Sequence, residues 1–255
     1  CIYCDGRSEC YQIEDFDGEV LVKVNAIELL RDELSRKQAK GLIALGSMND
    51  CYMPLEREVQ LTRRAMEVIA EFGFPVHVLT KSDLVLRDLA LFQEIHRRAR
   101  AVVSFTITTA DDDLARKVEP GAPASSARFA AMAQVAQAGV ETGVMLMPVL
   151  PFIEDTPENV TAIVERAVEA GASHVVPWFG MSMRDRQRAH FYTQLDRHFA
   201  GVRPRYQRTY GDRYSCESPR AAELHGLLDQ LKTRYGFATH VEPYHAVEAA
   251  QLALF

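Results

Sequence analysis

Two cysteines three residues apart open the chain, in Cys1-Ile-Tyr-Cys4-Asp-Gly-Arg-Ser-Glu-Cys10. Thiolates at that spacing on a glycine-containing loop can grip one metal centre, and a full site takes three or four ligands. Residue types alone leave the rest of the set open. Cys10 would complete a Cys-x2-Cys-x5-Cys zinc cluster, or the missing ligand lies elsewhere. A second chemical feature is Lys81, a lysine that closes an apolar run, where it suits an anion site or, in a metal-independent enzyme, a Schiff base. Cys51 and Cys216 read as packing thiols unless a site reaches them.

The elements that must position these residues repeat a simple unit. Asn25 caps a helix with apolar residues at Ile27, Leu30 and Leu34, which Gly41 stops. Leu42–Leu45 then reads as a buried strand, followed by the polar turn Gly46-Ser-Met-Asn-Asp50. Glu56–Phe72 is a second helix, closed by Gly73, and Pro75–Leu79 is a strand ending in Thr80-Lys81. Ser82 caps a helix over Asp83–Arg98, and Ala101–Ile107 follows as a strand. The spacing predicts a helix over Pro123–Ala138, a strand over Val140–Met147 and a Pro-punctuated exit loop, Pro148–Asp155. Thr156-Pro157-Glu158 starts another helix, with Pro at its first position, and His174–Pro177 is the last strand.

Apolar strands alternating with helices imply a parallel sheet covered by helices. Polar residues collect after each strand's C-terminal end: Ser47, Asn49 and Asp50, then Lys81, then Thr106, Thr108 and Asp111, then Asp155. That end is where barrels place their chemistry. No Gly-x-Gly-x-x-Gly follows a strand, which disfavours a dinucleotide fold. Right-handed crossovers wind such units into either an open doubly wound sheet or a barrel, and 181–255 reads as a helical extension.

Composition narrows the class. At 255 residues with 47% hydrophobic and 25% charged residues, a single large core can form. The cysteine usage suits a reducing, cytoplasmic compartment. No run reaches the ~18 apolar residues of a membrane helix; Gly143–Ile153, the longest, holds two prolines. A net charge of −6 argues against a globally basic nucleic-acid binder, though not against a local basic face.

Cys-Ile-Tyr-Cys-Asp, with an aromatic before the second cysteine, resembles the latter half of the Cys-x3-Cys-x2-Cys signature of radical S-adenosylmethionine (SAM) enzymes. Further pieces follow in order: Gly46-Ser-Met-Asn-Asp50 with Pro54-Leu-Glu56, Leu79-Thr-Lys-Ser82, Val103-Ser-Phe-Thr-Ile-Thr-Thr109, Glu119-Pro with Arg128, and Met147-Pro-Val-Leu-Pro151. Together they resemble the spore photoproduct lyase-like branch of that superfamily over residues 1–180, which implies an α/β fold, a partial (β/α)6 barrel over 1–180 with its first strand upstream of Cys1, and the helical extension 181–255 packed on it. The resemblance implies that Cys1 and Cys4 ligate a 4Fe-4S cluster, with a first cysteine four residues before Cys1. It implies that Tyr3 lies against the adenine of SAM. Asn49, with Ser47 or Asp50, would take the SAM amino group, and Lys81 with Thr106 or Ser104 its carboxylate and ribose. An electron donor is implied as partner. In the lyases a cysteine after the second strand returns a hydrogen atom to product; here Ser47 stands at that place and Cys51 follows four residues on. These two are the catalytic candidates, and the lyase reaction itself is not carried over.

From Met181 to Tyr214 eight arginines face three aspartates, interleaved with Phe191, Tyr192, Phe199, Tyr206, Tyr210 and Tyr214. Arginine with aromatics suits backbone neutralisation and base stacking, so 184–214 is the expected nucleic-acid contact. The competing expectation is a helix, Asp185–Phe199, whose aromatics close the barrel while its arginines face water. Gly201–Gly211 reads as a linker, Ser218–Tyr235 as an amphipathic helix and Ala246–Phe255 as a short apolar one.

Overall fold

The computed structural model describes residues 1–237, and the helix expected over 246–255 lies outside them. In chain order, α1 (Ala26–Arg36) leads to β1 (Ile43–Leu45), then α2 (Glu56–Val59), α3 (Leu61–Phe72) and β2 (Val76–Thr80). A 3₁₀ turn over Asp83–Asp88 runs into α4 (Leu89–Arg98) and β3 (Ala101–Thr106). After these come α5 (Asp112–Val118), α6 (Ser125–Gln137), β4 (Glu141–Leu146), α7 (Pro157–Glu169) and β5 (His174–Pro177). The remainder is β6 (Gly180–Ser182), α8 (Asp185–His198), α9 (Val202–Tyr210), β7 (Ser215–Glu217) and α10 (Ala221–Tyr235).

Strands β1 to β5 pair in parallel and in sequence order. Their outward side chains, among them Val76, Val78, Val103, Phe105, Val144, Leu146 and Val175, share one core with Met66, Phe92, Met132 and Ile163 of the crossover helices. Sequential order with the helices on one face is the winding of a barrel, not of a doubly wound sheet. The barrel is partial: among the described residues the sheet stays open between β1 and β5. A second core joins Ile2 and Tyr3 to Met181, Phe191, Leu195, Tyr206 and Tyr210. No described helix is long and apolar enough to cross a membrane.

Two expectations need correction. The helix over Glu56–Phe72 is broken at Gln60, whose φ is +49°. The Glu56 carboxylate accepts from the amides of Thr62 and Arg63, at 3.0 and 3.2 Å, and so caps a new helix start inside the expected one. Gly201–Gly211 is no linker, because α9 fills it and buries Tyr206 and Tyr210. The segment after residue 180 also holds an antiparallel ribbon, β6 with β7, beside its helices.

Candidate cofactor site

A cavity of about 710 Å³ opens at the C-terminal ends of the strands, within the range of small-molecule sites. It is lined by Cys1, Tyr3 and Cys4, by Ser47, Asn49 and Asp50 after β1, by Lys81 after β2 and by Thr106 closing β3. Met147 and Pro148 after β4, Trp178 after β5 and Met181 of β6 form its other wall. The turn after β1 depends on Gly46, at φ +89°, since a Cβ there would lie 1.9 Å from the Leu79 carbonyl oxygen. Behind that turn a charged cluster anchors the loop. Asp88, buried, accepts from Tyr52 at 3.1 Å and from Arg63 and Arg87 at 2.7 Å, and Arg87 also reaches Glu56.

The predicted residues do not all converge. Asp50 borders the cavity, but its carboxylate is engaged: it accepts from the Thr80 hydroxyl at 2.7 Å, the Lys81 amide at 2.7 Å and the Tyr52 amide at 2.9 Å. It joins the β1 turn to the end of β2. Cys51 does not line the cavity. It packs half-buried against the helical core, and burial pushes its thiol up to about 12. Ser104 is also absent from the lining, for a reason built into strands: it lies two residues before Thr106 on the same face, one layer deeper. Its hydroxyl bridges the Nε2 atoms of His77 and His174, at 2.8 and 2.9 Å. Burial lowers the pKa of both rings, that of His174 to about 4. Cys10 is exposed beside Arg184, 3.7 Å away, and is not among the lining residues. Among the described residues no three His, Cys, Asp or Glu side chains are grouped to hold a metal ion, so the trio Cys1, Cys4 and Cys10 is not assembled.

What sequence reasoning missed is the electrostatic base of the site. Glu119, 1% exposed, accepts from the Tyr3 hydroxyl and pairs with Arg128 at 2.5 Å and with Lys81 at 3.7 Å. Arg128, equally buried, also donates to the carbonyls of Thr106 and Pro123, both at 2.8 Å. Burial would raise the Glu119 carboxyl, but the Lys81 and Arg128 charges outweigh it and hold it below its usual value. Burial and then the Glu119 charge push the Tyr3 phenol well above its own. One carboxylate thus fixes the aromatic of the cysteine loop and the lysine at the end of β2. The sequence showed Glu119 and Arg128 only as fragments of a resemblance; nothing in their spacing marks them as partners.

The cysteine loop is clasped from both sides. The Ile2 amide donates to the Val118 carbonyl at 2.9 Å. Gln187, buried in α8, donates to the carbonyls of Tyr3 and Ser182, at 3.0 and 3.2 Å. The Ser182 hydroxyl donates to the Asp5 carboxylate at 2.7 Å, and Asp185 accepts from the Ser8 hydroxyl and the Glu9 amide. The arginine and aromatic stretch serves mostly this local architecture. Phe191, Tyr192, Tyr206 and Tyr210 are buried. Arg188 donates to the carbonyls of Met183, Gly211, Asp212 and Arg213, Arg203 pairs with Asp196 and lies over Tyr192, and Arg205 lies over Phe152. Those rings are not free to stack on bases, which favours the competing expectation of a helix with its aromatics turned inward; Tyr214 alone of the tyrosines in 184–214 is exposed.

No protein-family profile matches the chain. It is 32% identical over 216 residues to an uncharacterised protein of Mycobacterium tuberculosis, covering 82% of the chain and 63% of that relative, so it spans less than two thirds of the relative's length. It is 25% identical over 183 residues to a radical SAM Nalpha-GlyT isomerase of Pseudomonas phage M6, covering 69% of the chain and 37% of the isomerase. Its fold superimposes on a spore photoproduct lyase complexed with dinucleoside spore photoproduct, with a TM-score of 0.68 at 14% identity, over 92% of the chain and 70% of the lyase. A mutant of that lyase with bound AdoMet and the same dinucleoside matches over the same shares, with a TM-score of 0.65. The resemblance read from the sequence is borne out, and so is the partial-barrel fold.

Proposed function

Starting from that resemblance to radical SAM proteins of the spore photoproduct lyase-like branch, we propose that the chain is the catalytic part of a radical SAM enzyme. The observation that carries this is the convergence of Cys1, Cys4, Asn49, Lys81 and Thr106 on one cavity at the strand ends. The donor set fits the cofactors. Two thiols on a clasped loop offer soft ligands for iron, and the Lys81 ammonium beside the Thr106 hydroxyl offers charge and a hydrogen bond to a carboxylate or ribose. Cys1 and Cys4 would hold part of a 4Fe-4S cluster; Ser47 and Asn49 would meet the SAM amino group and Tyr3 its adenine. When bound, a reduced cluster supplies the electron that cleaves SAM into methionine and a 5′-deoxyadenosyl radical, which takes hydrogen from substrate.

The chain's own residues orient the reactants. Glu119 fixes the Tyr3 phenol and holds Lys81 at the cavity edge. Asp50 fixes the β1 turn that presents Ser47 and Asn49. In this reading residues 1–180 carry the cofactors, β6 and α8 of the extension after residue 180 brace the cysteine loop, and the substrate is a nucleic acid, as suits likeness to a lyase complexed with a dinucleoside photoproduct. The proposal includes an electron donor and a cytoplasmic setting. Ser47, at the cavity, cannot return a hydrogen atom as a thiol does, because an O–H bond is much stronger than S–H; Cys51 lies outside the lining. The lyase reaction is therefore not proposed.

Anaerobic reconstitution of the natural protein with iron and sulfide tests the reading. A brown protein, bleached by dithionite and releasing 5′-deoxyadenosine from SAM, is expected. Stoichiometric zinc with no SAM cleavage overturns it.

A further inference from the structure

The cavity has two unlike walls. Its polar residues come mainly from the cysteine loop and the ends of β1 to β3; the side from β4 to β6 is mostly apolar, with Met147, Pro148, Trp178 and Met181 beside one polar residue, Ser182, whose hydroxyl is given to Asp5. Trp178 is the chain's one tryptophan and is 40% exposed although it borders the cavity. Its backbone is fixed: the amide donates to the Leu146 carbonyl at 2.9 Å, and its carbonyl accepts from Val149 and Gly180, each at 3.0 Å. The next residue, Phe179, turns into the core, 1% exposed and edge-on to His225. Among the described residues no aromatic or cationic side chain stacks on Trp178. Tyr214, also exposed, is by contrast already covered by Arg184.

A half-exposed indole on a fixed backbone, at the mostly apolar side of the cavity and with no ring or cation stacked on it among the described residues, is a platform for a flat ring. We infer that Trp178 stacks on a nucleobase of the substrate at the β4 to β6 side of the cavity. This rests on the proposed function and names the substrate contact within it.

The lone tryptophan makes the test direct. The 255-residue chain is titrated with a short oligothymidylate and with an abasic oligomer of equal length and charge, while tryptophan emission is followed. Saturable quenching by the oligothymidylate alone is expected. Equal quenching by both oligomers, or by neither, overturns the inference, as does quenching by SAM alone, which would put the cofactor's adenine on the indole. The variants lack the tryptophan, so their binding is read by the anisotropy of a dye-labelled oligothymidylate: Trp178→Ala is expected to weaken binding about five- to a hundredfold, with Trp178→Phe restoring most of it. Wild-type affinity in Trp178→Ala also overturns it. Equilibrium dialysis with SAM reads the cofactor proposal separately: a chain that binds SAM but shows no ring-dependent quenching keeps that proposal and loses this one.

Discussion

In the proposed site a ligand carboxylate would meet, at Lys81, an ammonium that already has a partner, Glu119, 3.7 Å away and buried. Lys81→Met removes the charge but keeps the stem, and is expected to weaken SAM binding about ten- to a hundredfold by equilibrium dialysis. Unchanged affinity would take Lys81 out of the site. Glu119→Gln keeps an acceptor for Tyr3 but leaves Arg128 buried without a counter-charge. It is expected to cost about 3–5 kcal/mol in urea unfolding. Removing both charges, in Glu119→Gln with Arg128→Met, should cost less than the sum of the two single changes, because each alone strands the other. Additive losses would mean the pair is not coupled. Lys81 was legible as a charged residue ending an apolar strand, whereas Glu119 was not, since its role depends on three partners distant in sequence.

Among the elements, α8 was legible as a helix with a buried aromatic face, but its grip on the cysteine loop was not. Gln187 is one polar residue in an arginine-rich helix until the fold lays it against the Tyr3 and Ser182 carbonyls. Gln187→Leu leaves those carbonyls and the Arg184 amide without their partner. A loss of about 1–3 kcal/mol is expected, with faster labelling of Cys4 by a thiol reagent as the loop loosens. Unaltered labelling would show that the Val118 and Asp185 contacts hold the loop by themselves. The break between α2 and α3 has the same character: helical periodicity runs through Gln60, and only a carboxylate returning to cap the second helix interrupts it.

For the molecule as a whole, Glu154 links stability to pH. It is fully buried, with the Thr108 hydroxyl and the Leu150 amide at its two oxygens, 2.7 and 2.9 Å away. Burial raises its carboxyl from 4.5 to about 8. Below pH 4.5 both folded and unfolded states hold the proton and its stabilising effect is fully present. As pH rises toward about 8 only the unfolded state ionises, so that effect is lost, by at most about 1.4 kcal/mol per pH unit. Glu154→Gln is expected to flatten this fall when urea midpoints are compared at about pH 5 and pH 8. Parallel pH profiles for wild type and variant would contradict it.

The sequence alone determined the repeating helix–strand units, the sheet's parallel sense and the polar residues gathered at its C-terminal edge. Those follow from local periodicity, capping and strand length, which neighbours in the chain set between themselves. Tertiary structure alone decided that Ser104 lies a layer below the cavity, that Cys51 and Cys10 stand outside it, and that Asp50 is occupied by Thr80, Lys81 and Tyr52. It also decided that Tyr206 and Tyr210 join the second core and that Trp178 borders the cavity. The physical reason is common to all of these: which face a side chain takes, and which distant group meets it there, depends on contacts between segments that the order of residues does not bring together.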